Sequence, residues 1–383
     1  MTWTQADTAE SLRAIAIWGL PTETPARPEI RIPTDPAEFD GFASVLQQTR
    51  LLGPLLAAES LGDVEIPELL RTDLVTRQQA ALLWCIELES RLLQVREWFD
   101  DAGGIDHLVI KGSAIAHLDA LEPSLRTFAD VDLLIAAHDI DRAVEILTRH
   151  GAKRPWAQRR PGFDRRFAKS VTMTFGDGME FDLHRALADG VHGHRIPLDR
   201  LFDRTDHYEL GGVRFAALNP TDRLLHSAYH LLLGSREPAL MNLRDLAGYL
   251  AGETASGDLS NSELSIDTVV ARVREWRGEE VLATAIDLVE DHLGVVPQHW
   301  DDWRRSYTLD QTEAQLIARH RAEGSSLGRA KLDIVRELPW LRTKAAYLTS
   351  LAWPTREHLE SRGLRRRDAL PSSLPLVSRL KRR

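Results

Sequence analysis

Cysteine is nearly missing: Cys85 is the single one in 383 residues. One thiol can form neither an intramolecular disulfide nor a multi-cysteine zinc site. Its neighbours, Ala81-Leu82-Leu83-Trp84 and Ile86, suit a buried apolar thiol better than a nucleophile. Long hydrophobic runs are absent too. The longest stretch without Asp, Glu, Lys or Arg is Leu224 to Ser235, between Arg223 and Arg236, whereas a membrane-spanning helix needs about 20 predominantly apolar residues. Asp7 and Glu10 precede the short apolar run Ala14 to Leu20, the wrong charge order for a signal peptide, so the expected location is cytoplasmic. Positive charge is in deficit, with 48 Lys and Arg against 57 Asp and Glu and a net charge of −9. That excludes a protein coating nucleic acid over its whole surface and leaves room for a local basic groove. No Gly-Lys-Ser or Gly-Lys-Thr occurs, which removes a Walker A loop. What is there is ordinary globular material, 43% hydrophobic and 27% charged, and long enough for two or three folding units at roughly 150 residues each.

Residues 1–35 read as a short helix and a proline-rich connector. Residues 36–104 read as a helical layer, in which Ala80, Trp84, Leu88, Leu92, Val95 and Phe99 form one apolar stripe ended by Gly103-Gly104. From 105 to 217 the texture becomes mixed. His107 to Ile110 and Val131 to Ile135 are rich in branched apolar residues, as strands are. Ser170 to Phe175 and Met179 to His184 alternate across Gly176-Asp177-Gly178 as a hairpin does. Residues 218–355 read as all-helical, starting from the caps Asn219-Pro220. Residues 356–383 end in a basic tail, with eight Arg and Lys between Arg362 and Arg383 against Asp368. The expected fold class is therefore α+β: a small mixed-sheet core with a helical layer before it and a helical domain after it.

The chemistry concentrates in Lys111-Gly112-Ser113, Arg126, and Asp130-Val131-Asp132. Alternate residues on a strand face one side, and two steps rise about 6.7 Å, so the two aspartates can converge on hard divalent cations. Paired acids at a buried strand end are otherwise costly, and by that argument Asp132→Asn should relieve repulsion in the metal-free protein. Asp-x-Asp alone is also common in turns. A third acid, Asp182 in Glu180-Phe181-Asp182-Leu183-His184, would join the first two if its strand lies beside theirs, giving three acids for a two-metal clamp. Gly112-Ser113 falls between a strand and a helix, where the backbone can approach phosphate, and Lys111 and Arg126 add positive charge nearby.

Lys-Gly-Ser-Ala, Arg126, Asp130-x-Asp132 and Phe-Asp-Leu-His together resemble a bacterial uncharacterised nucleotidyltransferase family of the polymerase-beta-like superfamily. The likeness runs through about Leu108 to Leu187 and, more loosely, over the preceding helices and over Leu224-Leu225-His226 to His230 and Leu243-Arg244-Asp245-Leu246. It implies that Gly112 and Ser113, with Lys111 and Arg126, hold an NTP and that Asp130 and Asp132 bind Mg2+, with Mn2+ as the alternative. Asp182 would complete the metal site and help deprotonate a hydroxyl acceptor: a small molecule, peptide, protein or RNA end.

Other signals keep two readings each. His184 positions an acceptor or phosphate, or caps the sheet. His226 and His230 are four apart on one helix face, which favours core histidines because leucines surround them. Lys153, Arg154, Arg159, Arg160, Arg165, Arg166 and Lys169 form a solvated loop or a basic flap over an anion. The rivals to a nucleotidyltransferase are a catalytically idle scaffold or nucleotide-binding regulator of the same fold and an adaptor acting through the basic tail.

Overall fold

The structure is a computed structural model that describes residues 3–21, 28–234, 236–252, 264–321 and 326–365. Most of the expected basic tail, residues 366–383, and part of the expected connector, 22–27, lie outside the described residues. The chain opens with α1 (Gln5–Ile17), α2 (Phe39–Thr49), α3 (Leu52–Ser60) and the long α4 (Glu68–Asp101). The mixed region follows: β1 (His107–Val109), α5 (Ser113–Leu118), β2 (Val131–Ile135), α6 (Ile140–Arg149), α7 (Asp164–Phe167), β3 (Ser170–Thr174) and β4 (Glu180–His184). It continues through α8 (Gly190–Arg195), α9 (Leu198–Phe202), β5 (Thr205–Leu210) and β6 (Val213–Leu218). Thereafter every described element is helical: α10 (Pro220–Leu233), α11 (Leu240–Leu250), α12 (Ile266–Glu275), α13 (Glu279–Leu293) and α14 (Gln298–Ser306). The last are α15 (Gln311–Arg321), α16 (Ser326–Glu337), α17 (Leu341–Ala352) and α18 (Arg356–Ser361). Among the described residues no helix is long and apolar enough to cross a membrane.

Local chemistry accounts for the boundaries. In α10, Asn219 accepts from the Asp222 N–H at 2.8 Å and Pro220 takes the first helical position. After α4, Gly103 and Gly104 adopt φ of 91° and 85°, which side chains with a Cβ rarely tolerate. Along α4 the buried line runs through Leu74, Gln78, Cys85, Leu88, Leu92, Val95 and Phe99. Ala80 is exposed and Trp84 half-buried, so the expected stripe is corrected at its N-terminal end. A steady four-residue step drifts around a 3.6-residue helix, while the observed mixture of three and four stays on one side.

One six-stranded sheet runs in the order β3-β4-β2-β1-β6-β5. The pairs β3·β4, β1·β2 and β5·β6 are antiparallel, and β2·β4 and β1·β6 are parallel. The fold is thus α+β, as expected from sequence. The hairpin β5–β6 turns on Gly211 and Gly212, both at positive φ. On β2, Val131, Leu133 and Ile135 join a core with Leu88, Leu92 and Phe99 of α4 and Ile146 of α6. On β4, Phe181 and Leu183 enter the same core. Leu134 lies in the opposite core, with Leu46 of α2, Leu55 of α3 and Leu224 and Leu231 of α10. That leaves Asp132, Asp182 and His184 on the face turned toward the N-terminal and C-terminal helices.

Candidate active site

Strand register brings the acids together. Asp132 pairs directly with Asp182 across the parallel strands β2 and β4, and Leu134 pairs with His184. Potential ligand atoms of Asp132, Asp182 and His184 all lie within 4.8 Å of one another. Asp130 stands just before β2, outside this group, and Glu180, at the start of β4, is exposed. The threefold acid cluster expected from sequence is thus an Asp–Asp–His group with Asp130 at its margin.

Each member is held by identifiable bonds. Oδ1 of Asp132 meets the Lys111 ammonium at 2.9 Å and the His184 Nε2 at 2.7 Å. Because a carboxylate only accepts, Nε2 carries the proton and donates. Burial by itself would raise the Asp132 pKa, but the Lys111 charge and the His184 hydrogen bond outweigh it and hold the carboxyl far below the usual range. The Thr172 hydroxyl donates to Asp182 Oδ1 at 2.5 Å. For Asp130, burial and the neighbouring Asp132 charge push the pKa up against the opposing pull of Lys111 and Arg50.

The donor set fits a hard divalent ion. Two carboxylates on adjacent strands converge, and His184 is occupied as a donor, so it orients Asp132 and leaves oxygen to do the ligating, as Mg2+ prefers. Mn2+ accepts the same oxygen ligands.

A cavity of about 130 Å3 adjoins the acids and is lined by Arg50, Lys111, Gly112, Arg126, Asp130 and Asp132, among others. Gly112 is indispensable to its shape. Its φ is 52°, and a Cβ there would come within 3.3 Å of the Asp130 carbonyl and the Phe128 ring. Ser113 plays a different part from the one its position suggests. Its hydroxyl is buried, donates to Glu89 of α4 at 2.7 Å and accepts from Tyr208 at 3.1 Å. His117 contacts the same Glu89 oxygen at 2.9 Å. The side chain therefore anchors the turn from behind, and α5, six residues long, is too short to add much dipole. Arg126 is likewise committed, forming three hydrogen bonds of 2.8–3.1 Å with the Asp245 carboxylate. Burial disfavours its charge, and Asp245 more than restores it.

Arg50 has no such partner: among the described residues its guanidinium makes no hydrogen bond or ion pair. It caps α2 at φ 60° and ψ 29°, a left-handed conformation that costs a non-glycine residue about 1 kcal/mol. The Lys169 ammonium is also without a hydrogen bond or ion pair among the described residues. Burial and the Lys111 charge push its pKa down, while Asp132, Asp189 and Asp182 oppose this. His226 and His230 line the cavity as well. Burial, then the Lys111 charge, lowers both pKa values, that of His230 to about 3, so both are neutral. Sequence reasoning did not single out Arg50, Glu89 or Asp245 for a role. Lys169 stood within the basic cluster, but nothing marked it off from its neighbours.

No curated protein and no solved structure gives a significant match to the chain. A family model described as an uncharacterised nucleotidyltransferase matches residues 35–294, which span α2 to α13 and every residue of the acid group and its cavity. With well over half its length covered by that model, the chain belongs to the uncharacterised nucleotidyltransferase family.

Proposed function

We propose that the protein transfers a nucleoside monophosphate from an NTP to a hydroxyl-bearing acceptor and releases pyrophosphate. The observation that carries this reading is the direct pairing of Asp132 with Asp182, beside the Gly112 turn, in a member of a nucleotidyltransferase family. Asp132 and Asp182, with Asp130 at the margin, would hold one or two Mg2+ or Mn2+ ions, which when bound neutralise phosphoryl charge and clamp the attacking and leaving oxygens.

The chain's own residues do the rest. His184 fixes the Asp132 carboxylate. Gly112 lets the backbone approach the triphosphate, and Ser113, tied to Glu89, keeps that turn in place. Lys111 has three donors and gives one to Asp132, so two remain for phosphate oxygens. Arg50 adds an uncommitted guanidinium, whereas Arg126 secures the cavity wall through Asp245. As the acceptor oxygen attacks the α-phosphorus and the bond to pyrophosphate breaks, Asp182 takes the hydroxyl proton. Positioning and electrostatics supply most of the rate. In this reading residues 105–217 carry the chemistry, while the helices of 218–355 and the basic segment 153–169 select the acceptor.

The test is magnesium-dependent NTP binding by calorimetry, followed by pyrophosphate release from each labelled NTP with candidate acceptors. Saturable binding, and release that Asp132→Asn suppresses, support the reading. A wild type that binds no magnesium–NTP, or an Asp132→Asn variant that turns over normally, overturns it.

A further inference from the structure

A second cavity, of about 250 Å3, lies at the β3 edge of the sheet. Its walls include Arg154, Trp156, Arg159 and Asp164 from the segment before β3, Thr172 of β3, and His358 and Arg362 at the end of the described chain. The charges here do not balance: three guanidiniums face one carboxylate, and Asp164 is already bound to Arg154 at 2.8 Å. Arg159 and Arg362 make no side-chain hydrogen bond or ion pair among the described residues. Both are nonetheless positioned. Arg362 stacks 4.3 Å above the Trp156 ring, and Arg159 lies 6.0 Å from the Phe163 ring centroid. The wall itself is fastened, with Thr355 N–H donating to the Arg159 carbonyl at 2.8 Å and the His358 Nδ1–H to the Ala157 carbonyl at 2.7 Å. Arg159 is half-buried and Arg362 exposed, and their neighbouring like charges repel each other unless an anion joins them. A phosphate monoester, at −1.5 to −2 near pH 7, matches a surplus of two better than a carboxylate does.

Position suggests what that anion belongs to. The two cavities share no lining residue. Thr172, in the wall of this one, donates to Asp182, while Asp132 lines the other. The acids therefore stand between them. His358 and Arg362 also lie beyond residues 35–294, so the pocket is completed by chain outside the family's span.

We propose that this pocket binds a phosphate group carried by the acceptor, with Arg159 and Arg362 as its specificity-determining residues. The role as an acceptor site rests on the nucleotidyltransferase reading; the anion site does not.

The experiment is calorimetric titration of the full-length protein with inorganic phosphate, with acetate as the comparison probe. Arg159→Ala and Arg362→Ala should each weaken phosphate binding at least tenfold. Arg159→Lys should lose less, and Asp132→Asn should bind phosphate as the wild type does. Circular dichroism establishes that each variant is folded. Phosphate affinity unchanged in both arginine variants overturns the pocket, and equal affinity for acetate overturns the phosphate assignment. A wild type that binds phosphate here but no magnesium–NTP overturns the acceptor role and the reading above together, leaving the anion site standing.

Discussion

The acid-lined cavity borders β2 and the arginine-lined pocket borders β3 of the same sheet, yet they treat charge in opposite ways. In the cavity nearly every charge is answered: Asp132 by Lys111 and His184, Arg126 by Asp245. In the pocket Arg159 and Arg362 are unanswered, and within the cavity the exceptions are Arg50 and Asp130, whose side chains form no hydrogen bond or ion pair among the described residues. The difference separates two jobs. Removing an answered charge orphans a buried partner and costs stability. Removing an unanswered one costs a ligand and leaves the fold intact or eased.

The largest effect should come from Asp132→Asn. Loss of a transition-state electrostatic contact commonly costs about 100-fold or more in rate, read here as magnesium-dependent pyrophosphate release. The same substitution should lower Tm without metal, because Lys111 loses its counter-charge. That reverses the relief of repulsion expected from the Asp-x-Asp spacing alone. Since the folded-state carboxyl lies below its ordinary value, its contribution is present above about pH 4 and is lost as pH falls toward the folded-state pKa. The variant should therefore lose that part of the wild type's acid dependence in a pH series of melting curves.

Arg126→Ala comes next. It leaves Asp245 facing a buried gap and should destabilise the protein by about 3–5 kcal/mol in urea unfolding. If the cost is near zero, the ion pair does not hold the wall and the contrast collapses. Arg50→Ala sharpens the contrast from the other side. It should leave Tm unchanged within about 1 °C or raise it, while weakening magnesium–NTP binding by about tenfold or more, the worth of one charge-assisted hydrogen bond. A variant that melts early and binds normally would make Arg50 structural.

The smallest effect belongs to Asp130→Asn. Its folded-state pKa is raised, so wild-type stability declines as pH climbs from about 4 through that value. The variant should gain about 2 °C in Tm at pH 7 in metal-free buffer and nothing at pH 3.5, by scanning calorimetry. A loss at pH 7 would mean that Lys111 and Arg50 favour the Asp130 charge by more than burial and Asp132 oppose it.

How much of this was legible in advance depended on range. Alternation placed Asp132 and Asp182 on one strand face each, and the Gly176-Asp177-Gly178 turn set the hairpin, because strand and turn preferences act over a few residues. The second hairpin carried its own signal in Gly211-Gly212 between alternating residues, but the sequence reading assigned no strands there. Ser113 and Arg126 were marked out by position, and their actual partners, Glu89 and Asp245, lie 24 and 119 residues away. Nothing local specifies such pairs.

By itself, then, the sequence determined most of the element types, the two-residue phase that puts Asp182 and His184 on one face of their strand and Asp132 on one face of its own, and the glycine that only a close approach explains. Those follow from backbone sterics and from burying apolar side chains at fixed periods. The tertiary structure alone decided that β4 lies parallel to β2 with Asp182 opposite Asp132, and which cations would be neutralised. It also left Arg50, Arg159 and Arg362 uncommitted. Sheet order and ion pairing depend on which distant segments meet when the two cores close around the sheet, and charge type along the chain carries no record of that meeting.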